Sequence, residues 1–200
     1  CSTWNDPIPT SADNGNPAQV RDRVRASESL TAALAALEIA VPGPDRDRLL
    51  DLAAMVVDWG LGPNLQSDLV VATGPYVDFA KIAVGISRLY ANDLLGAKLK
   101  IYLDHGIEPF PGGQYLEYAE IEGKTDLYFP AVVEAGYRWI EVSDNVAPVS
   151  LEWKERVIRQ ATDEFGLSVL GEVGKKEGMA HALLFADDAK ACLDAGSRIV

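Results

Sequence analysis

The sequence predicts a parallel α/β fold and, within that class, a (β/α)₈ barrel. Strand-like runs alternate with amphipathic helical stretches about every 25–30 residues, the pattern of successive βαβ units. No GxGxxG follows the first strand, which lowers the open dinucleotide-binding alternative. Charged residues recur in or at the ends of different strands (Asp58, Lys81, Glu141, Asp144, Glu172 and Lys175), and closure of the sheet would gather them around one axis.

At 200 residues and 48% hydrophobic, the chain can bury one sizeable core. Its formal net charge of −12 excludes a general nucleic-acid binder, which needs a basic face to neutralise phosphates. The partners expected are small anionic molecules, or a second copy in a homo-oligomer. Cys1 and Cys192 are far apart, with no CxxC, so neither a disulfide framework nor a zinc site is expected and a reducing cytoplasm fits best. No apolar run approaches the ~18 residues of a membrane span, and no signal peptide opens the chain.

Residues 1–17 are rich in Pro, Asn, Asp and Ser and predict a disordered tail. Leu30, Ala33, Leu34, Leu37 and Ala40 give residues 18–45 an apolar helical stripe, stopped by Val41-Pro-Gly-Pro44. The barrel domain is expected over 50–200. Its first strand is Ala53 to Asp58, followed by a helix from Leu65 to Thr73 capped at Asn64. Val77 to Gly85 is the second strand, and Asn92 to His105 a helix ended by Gly106. The third strand, Ile107 to Phe110, breaks into Pro111-Gly112-Gly113, with helices around Tyr115 to Glu122 and Asp126 to Ala135. Tyr137 to Asn145 is the fourth strand and Leu151 to Glu164 a helix. The run from Leu167 to Lys176 forms the fifth strand and its charged end. A helix from Ala180 to Asp194 precedes Ser197 to Val200, the start of a sixth strand. The barrel is thus expected to be incomplete at the C-terminus of this chain, with strands 1 to 6 only.

Asp58, Glu141 and Glu172 are hard oxygen ligands on separate strands, the kind of set that holds Mg²⁺ while water and substrate complete the shell. Lys81 lies inside an apolar strand, so it is either paired or has its pKa lowered by desolvation, which suits proton transfer. Lys175 and Lys176 offer positive charge to an anion. Gly112 and Gly113 would let backbone N–H groups approach a ligand at the start of the following helix. His105 and His181 lie away from the strand ends and are expected to be packing or surface residues.

Taken in order, VVDWGLG, DFAKIAVGISRLY, GIEPFPGGQYLE, WIEVSDN and LGEVGKK resemble the phosphosulfolactate synthase family over Asp51 to Val200. The resemblance implies a (β/α)₈ barrel that uses Mg²⁺ to add sulfite to the methylene carbon of phosphoenolpyruvate, giving (2R)-phospho-3-sulfolactate in coenzyme M biosynthesis. It implies catalytic roles for Lys81, Lys175 and Glu117, substrate contacts from Gly112, Gly113, Ser143 and Lys176, and metal contacts from Asp58, Glu141 and Glu172. Three positions depart from the family pattern: Trp59 stands where a lysine is usual, Gln114 where a threonine is, and Gly171 where a serine is. Two other readings follow from these departures: the same enolate chemistry on another substrate, and a non-catalytic relative acting through protein contacts.

Overall fold

In the computed structural model, residues 53–174 and 182–200 are described. The tail at 1–17, the helix at 18–45, Lys175, Lys176 and His181 lie outside the described residues.

Strand β1 (Met55–Asp58) leads into α1 (Pro63–Thr73), and β2 (Phe79–Ile82) into a 3₁₀ segment, Ala83–Leu89, and then α2 (Asn92–Asp104). β3 (Glu108–Pro111) is followed by α3 (Gln114–Ile121) and α4 (Thr125–Glu134). β4 (Trp139–Val142), α5 (Leu151–Asp163), β5 (Ser168–Gly171) and α6 (Ala182–Ala195) complete the order. After α6 the chain returns to pair Ile199 with Leu170 in a parallel bridge.

Local chemistry corrects several expected boundaries. Helix α1 starts at Pro63 after Gly62, because proline's fixed φ and missing N–H suit the first helical position; Asn64 is therefore inside the helix and not its cap. The second strand stops at Ile82, since Val84 (φ 38°, ψ 37°) and Gly85 (φ 77°, ψ 14°) turn the backbone left-handed. Helix α5 has a true side-chain cap, Ser150 Oγ accepting from Trp153 N–H at 3.2 Å. Its buried residues Trp153, Lys154, Val157, Ile158 and Ala161 form one stripe at helical spacing.

All strand pairings are parallel and follow chain order: β1 with β2, β2 with β3, and β4 with β5. Between β3 and β4 no ladder forms, although the two strands lie in contact. Prolines explain the gap. Glu108 and Gly112 donate their N–H groups to the Asp78 and Ile82 carbonyls on the β2 side, at 2.9 and 2.8 Å. Alternate residues of a parallel strand turn to opposite neighbours, so Pro109 and Pro111 face β4 with no N–H to give.

Two apolar layers result. The larger lies between strands and helices and includes Ile82, Leu99, Phe129, Ile140, Val157 and Val169. The smaller sits on the opposite face of the sheet, where Phe79, Phe110, Leu170, Trp139 and Ile199 meet. Phe79 of β2 and Trp139 of β4 touch edge to face at 4.9 Å across the intervening β3. Side chains from alternate strands can meet in this way only if the sheet curves around them.

Candidate active site

Register decides which residues reach the concave face. Met55 pairs with Phe79 and Val57 with Lys81, and side chains alternate along a strand, so Val57 lies on the face of Lys81 while Asp58 turns to the helices. On the concave face, two residues above Phe79 and Trp139, stand Lys81 and Glu141. The Lys81 ammonium is 2.8 Å from each carboxylate oxygen of Glu141 and 3.6 Å from Oε2 of Glu172, just beyond β5. That Glu172 oxygen is buried and accepts no hydrogen bond. Burial pushes the Glu141 carboxyl above its ordinary pKa, with Lys81 and the Gly113 N–H pulling the other way. These three side chains line a pocket of about 180 Å³ together with Trp59, Val84 and Gln114. Of the two outcomes expected for Lys81, pairing is the one observed.

Among the described residues, the expected site residues Asp58, Glu117 and Ser143 are placed elsewhere or are already engaged. Asp58 is completely buried, and its four acceptor sites are filled. Gly60 and Leu61 N–H each donate to Oδ1 at 2.8 Å, and Lys98 Nζ (2.8 Å) and the Tyr102 hydroxyl (2.9 Å) donate to Oδ2. Burial opposes its charge, but these donors outweigh it and hold the carboxyl below its ordinary pKa. The structure thus corrects the expectation that Asp58 joins Glu141 and Glu172 at a metal.

Glu117 is likewise buried and engaged. It accepts from the Ser143 hydroxyl and from the N–H groups of Asn145 (3.0 Å), Val146 (2.5 Å) and Ala147 (2.7 Å). Against the cost of burial, these bonds hold its pKa below the usual value. The expected catalytic Glu117 and substrate-contacting Ser143 form a latch that fixes the loop after β4.

Gly112 and Gly113 do line the pocket, but their N–H groups are spent, on the Ile82 carbonyl and on Glu141 Oε2 at 2.6 Å. The need for glycine here is space. A Cβ on Gly112 would lie 3.2 Å from Lys81 Cε, and one on Gly113 2.8 Å from Ser143 Cβ, with the hydroxyl oxygen nearer still. The two glycines let β3 end directly against Lys81 and Ser143.

Two lysines escaped the sequence reading. Lys98 is wholly buried and also donates to Gln66 Oε1 at 2.9 Å, tying α2 to α1 and to the end of β1. Lys154, equally buried, donates to the Glu172 carbonyl at 2.7 Å and so holds the chain segment that carries Glu172. Each sits on an otherwise apolar helical stripe, Leu95-Lys98-Leu99-Tyr102 and Lys154-Val157-Ile158-Ala161. A polar residue on the buried face of a helix was the available signal.

Among the described residues no three His, Cys, Asp or Glu side chains gather as a metal-ligand set. Glu141 and Glu172, the latter with an oxygen that accepts no hydrogen bond and lies 3.6 Å from the Lys81 ammonium, match the one or two protein carboxylates by which Mg²⁺ is held while it keeps water or substrate oxygens. No helix among the described residues is long and apolar enough to cross a membrane.

Comparison with known proteins bears on this arrangement. The family model described as (2R)-phospho-3-sulfolactate synthase (ComA) matches residues 46–200. The phosphosulfolactate synthase of Methanothermobacter thermautotrophicus is 37% identical over 150 residues, covering 73% of this chain and 58% of that protein. That of Methanocaldococcus jannaschii is 37% identical over 134 residues, 67% of this chain and 53% of that protein. A third, from Bacillus subtilis, is 28% identical over 124 residues, 62% of this chain and 48% of that protein. The chain spans about half the length of the curated relatives it matches. The match extends from before β1 to Val200 and takes in Lys81, Glu141 and Glu172, and the chain belongs to the (2R)-phospho-3-sulfolactate synthase family.

Proposed function

We propose that the chain is a lyase-type enzyme that adds sulfite to phosphoenolpyruvate with Mg²⁺, giving (2R)-phospho-3-sulfolactate, on a fold of the (β/α)₈ barrel kind. The names of its relatives support the reaction. Parallel strands in chain order, with side chains of β2 and β4 meeting across β3, support a sheet curved as in such a barrel. A buried free Cys192 suits a reducing cytoplasm. The observation that carries the proposal is the Lys81 ammonium, held between Glu141 and Glu172 at the C-terminal end of the strands.

In this reading the sulfur lone pair of sulfite attacks the methylene carbon and a C–S bond forms. The π pair moves to the neighbouring carbon and its carboxylate, and that carbon then takes a proton. Lys81 donates it, becoming a neutral amine that regains a proton from water. Glu141 orients the ammonium by holding it through both oxygens. Glu141 and Glu172 would hold the metal, which supplies positive charge against the substrate carboxylate as negative charge gathers there. Lys154 keeps Glu172 in position through its backbone carbonyl, and the Glu117 latch fixes the loop after β4, which brings Asn145 to the pocket wall.

The test is incubation of the protein with phosphoenolpyruvate, sulfite and Mg²⁺, followed by mass detection. A product heavier than phosphoenolpyruvate by the mass of sulfurous acid, absent without protein, is expected. Its absence with a folded, Mg²⁺-binding protein would rule the reaction out.

A further inference from the structure

Two oxygens at the Lys81 pocket lack a partner. Among the described residues, Glu172 Oε2 and Asn145 Oδ1 are buried and accept no hydrogen bond, and both residues line the pocket. A buried acceptor left without a donor is costly, and two acceptors cannot satisfy each other. Gln114, the other amide in the lining, has no such sequestered oxygen. The Lys81 ammonium does not serve Asn145, since it is held by Glu141 at 2.8 Å and Glu172 at 3.6 Å. One ammonium against two carboxylates leaves the lining with a net charge of −1, so the missing partner is positive. With no His, Cys or Met in the lining, the atoms offered to it are hard oxygens, which suit Mg²⁺ or Mn²⁺.

We propose that the side-chain oxygen of Asn145 is a ligand of the divalent cation, beside Glu172, and that Glu117 is the positioning residue that holds it there. The proposal rests on Glu141 and Glu172 being the carboxylates of the metal site, and it adds a neutral third oxygen to them. Asn145 lies in the irregular loop after β4, yet its backbone is pinned. Its own N–H donates to Glu117 Oε1 at 3.0 Å, and the next two, of Val146 and Ala147, donate to Oε2 at 2.5 and 2.7 Å. On the strand side the Ser143 hydroxyl is bound to the same carboxylate. A buried carboxylate spent wholly on one loop gives that loop a rigidity that a solvent-facing turn does not need and a metal ligand does.

Titration of the whole chain with Mn²⁺, the free ion read by electron paramagnetic resonance, tests this. Asn145→Ala keeps the backbone N–H that Glu117 holds, so the melt should be unchanged while Mn²⁺ affinity falls about tenfold. Asn145→Asp, of the same size and charged, should bind Mn²⁺ at least as tightly as wild type. Glu117→Gln, titrated where circular dichroism shows it folded, should weaken Mn²⁺ several-fold in wild type but not in the Asn145→Ala background, because it acts through Asn145. Equal weakening in both backgrounds would overturn the positioning role. Wild-type affinity in Asn145→Ala would overturn the ligand itself, whether the side chain is merely wall or turns its N–H to the carboxylates. The other readings fail separately. If Glu172→Gln weakens Mn²⁺ and Asn145→Ala does not, the carboxylate site stands and Asn145 leaves it. If the wild-type chain binds no Mn²⁺, the metal reading falls and this inference with it. If Asn145→Ala loses Mn²⁺ but no sulfonated product forms in wild type, only the reaction is sunk.

Discussion

Asp58 on β1 and Lys98 on α2 are both completely buried and lie 2.8 Å apart. With Gln66 and Tyr102 they form a closed network, and every acceptor site of the carboxylate is used. Such a pair contributes little beyond what apolar residues of the same volume would give, but breaking it from one side strands a charge. Lys98→Met is therefore expected to destabilise the protein by ~3–5 kcal/mol, seen as a large fall in the thermal midpoint. A midpoint within a few degrees of wild type would show that water or another donor reaches Asp58.

The network also shows where sequence reasoning stops. Alternation of strand and helix was legible because each unit carries its own periodicity, and the strand containing Lys81 was legible because one charge interrupts an apolar run. The direction of Asp58 was not. Val56 and Val57 are apolar on both parities, as strands covered on both faces tend to be, so nothing in β1 says which side faces the axis. Only the pairing of Val57 with Lys81 decides it. Glu117 failed for a related reason: its partners are backbone N–H groups of 145–147, whose position no residue type announces.

Acid should release the Glu117 latch. Its folded pKa lies below the ordinary 4.5, so its contribution is complete above that value and is lost as pH falls through the folded pKa. Asp58 behaves in the same way below 3.8. Glu141 has the opposite sign: its pKa is raised, so it adds stability as pH falls from neutral through its folded pKa toward 4.5. Glu117→Gln turns an amide toward backbone donors and should cost about 1.5–3 kcal/mol near neutrality. Urea midpoints should show the gap to wild type closing in strong acid, where wild-type Glu117 is protonated too. A gap independent of pH would mean that the charge is irrelevant to the latch.

Gly113→Ala should destabilise through space alone. Its backbone is ordinary right-handed helical (φ −59°, ψ −28°), so any residue could adopt it. The new methyl group would overlap Ser143, an overpacking cost of about 1–3 kcal/mol. Adding Ser143→Gly removes the obstacle, so the double variant should be more stable than Gly113→Ala. If it is less stable, the Ser143 bond to Glu117 outweighs the clash.

Glu172→Gln removes charge without changing volume, at a side chain whose Oε2 accepts no hydrogen bond. Mn²⁺ affinity, read by electron paramagnetic resonance, should fall about tenfold or more, with the melt unchanged because Lys81 keeps Glu141. Unaltered Mn²⁺ binding would remove Glu172 from the proposed metal site.

Variants of Lys81 separate its charge from the proposed proton delivery. Lys81→Met leaves Glu141 with the Gly113 N–H at 2.6 Å, and a carboxyl whose pKa burial already raises can take a proton once the ammonium is gone. The loss of stability should therefore be smaller than for Lys98→Met, while turnover falls by about 10²–10⁴ for want of a general acid. Lys81→Arg is the sharper variant. A guanidinium keeps the positive charge and can pair with Glu141 through both oxygens, but it does not give up a proton at working pH. It should preserve the fold and the binding of phosphoenolpyruvate and still lose turnover. If Lys81→Arg retains activity, Lys81 acts by its charge and the proton comes from elsewhere. If Lys81→Met melts as early as Lys98→Met, the pair with Glu141 is structural and the carbon is protonated without it.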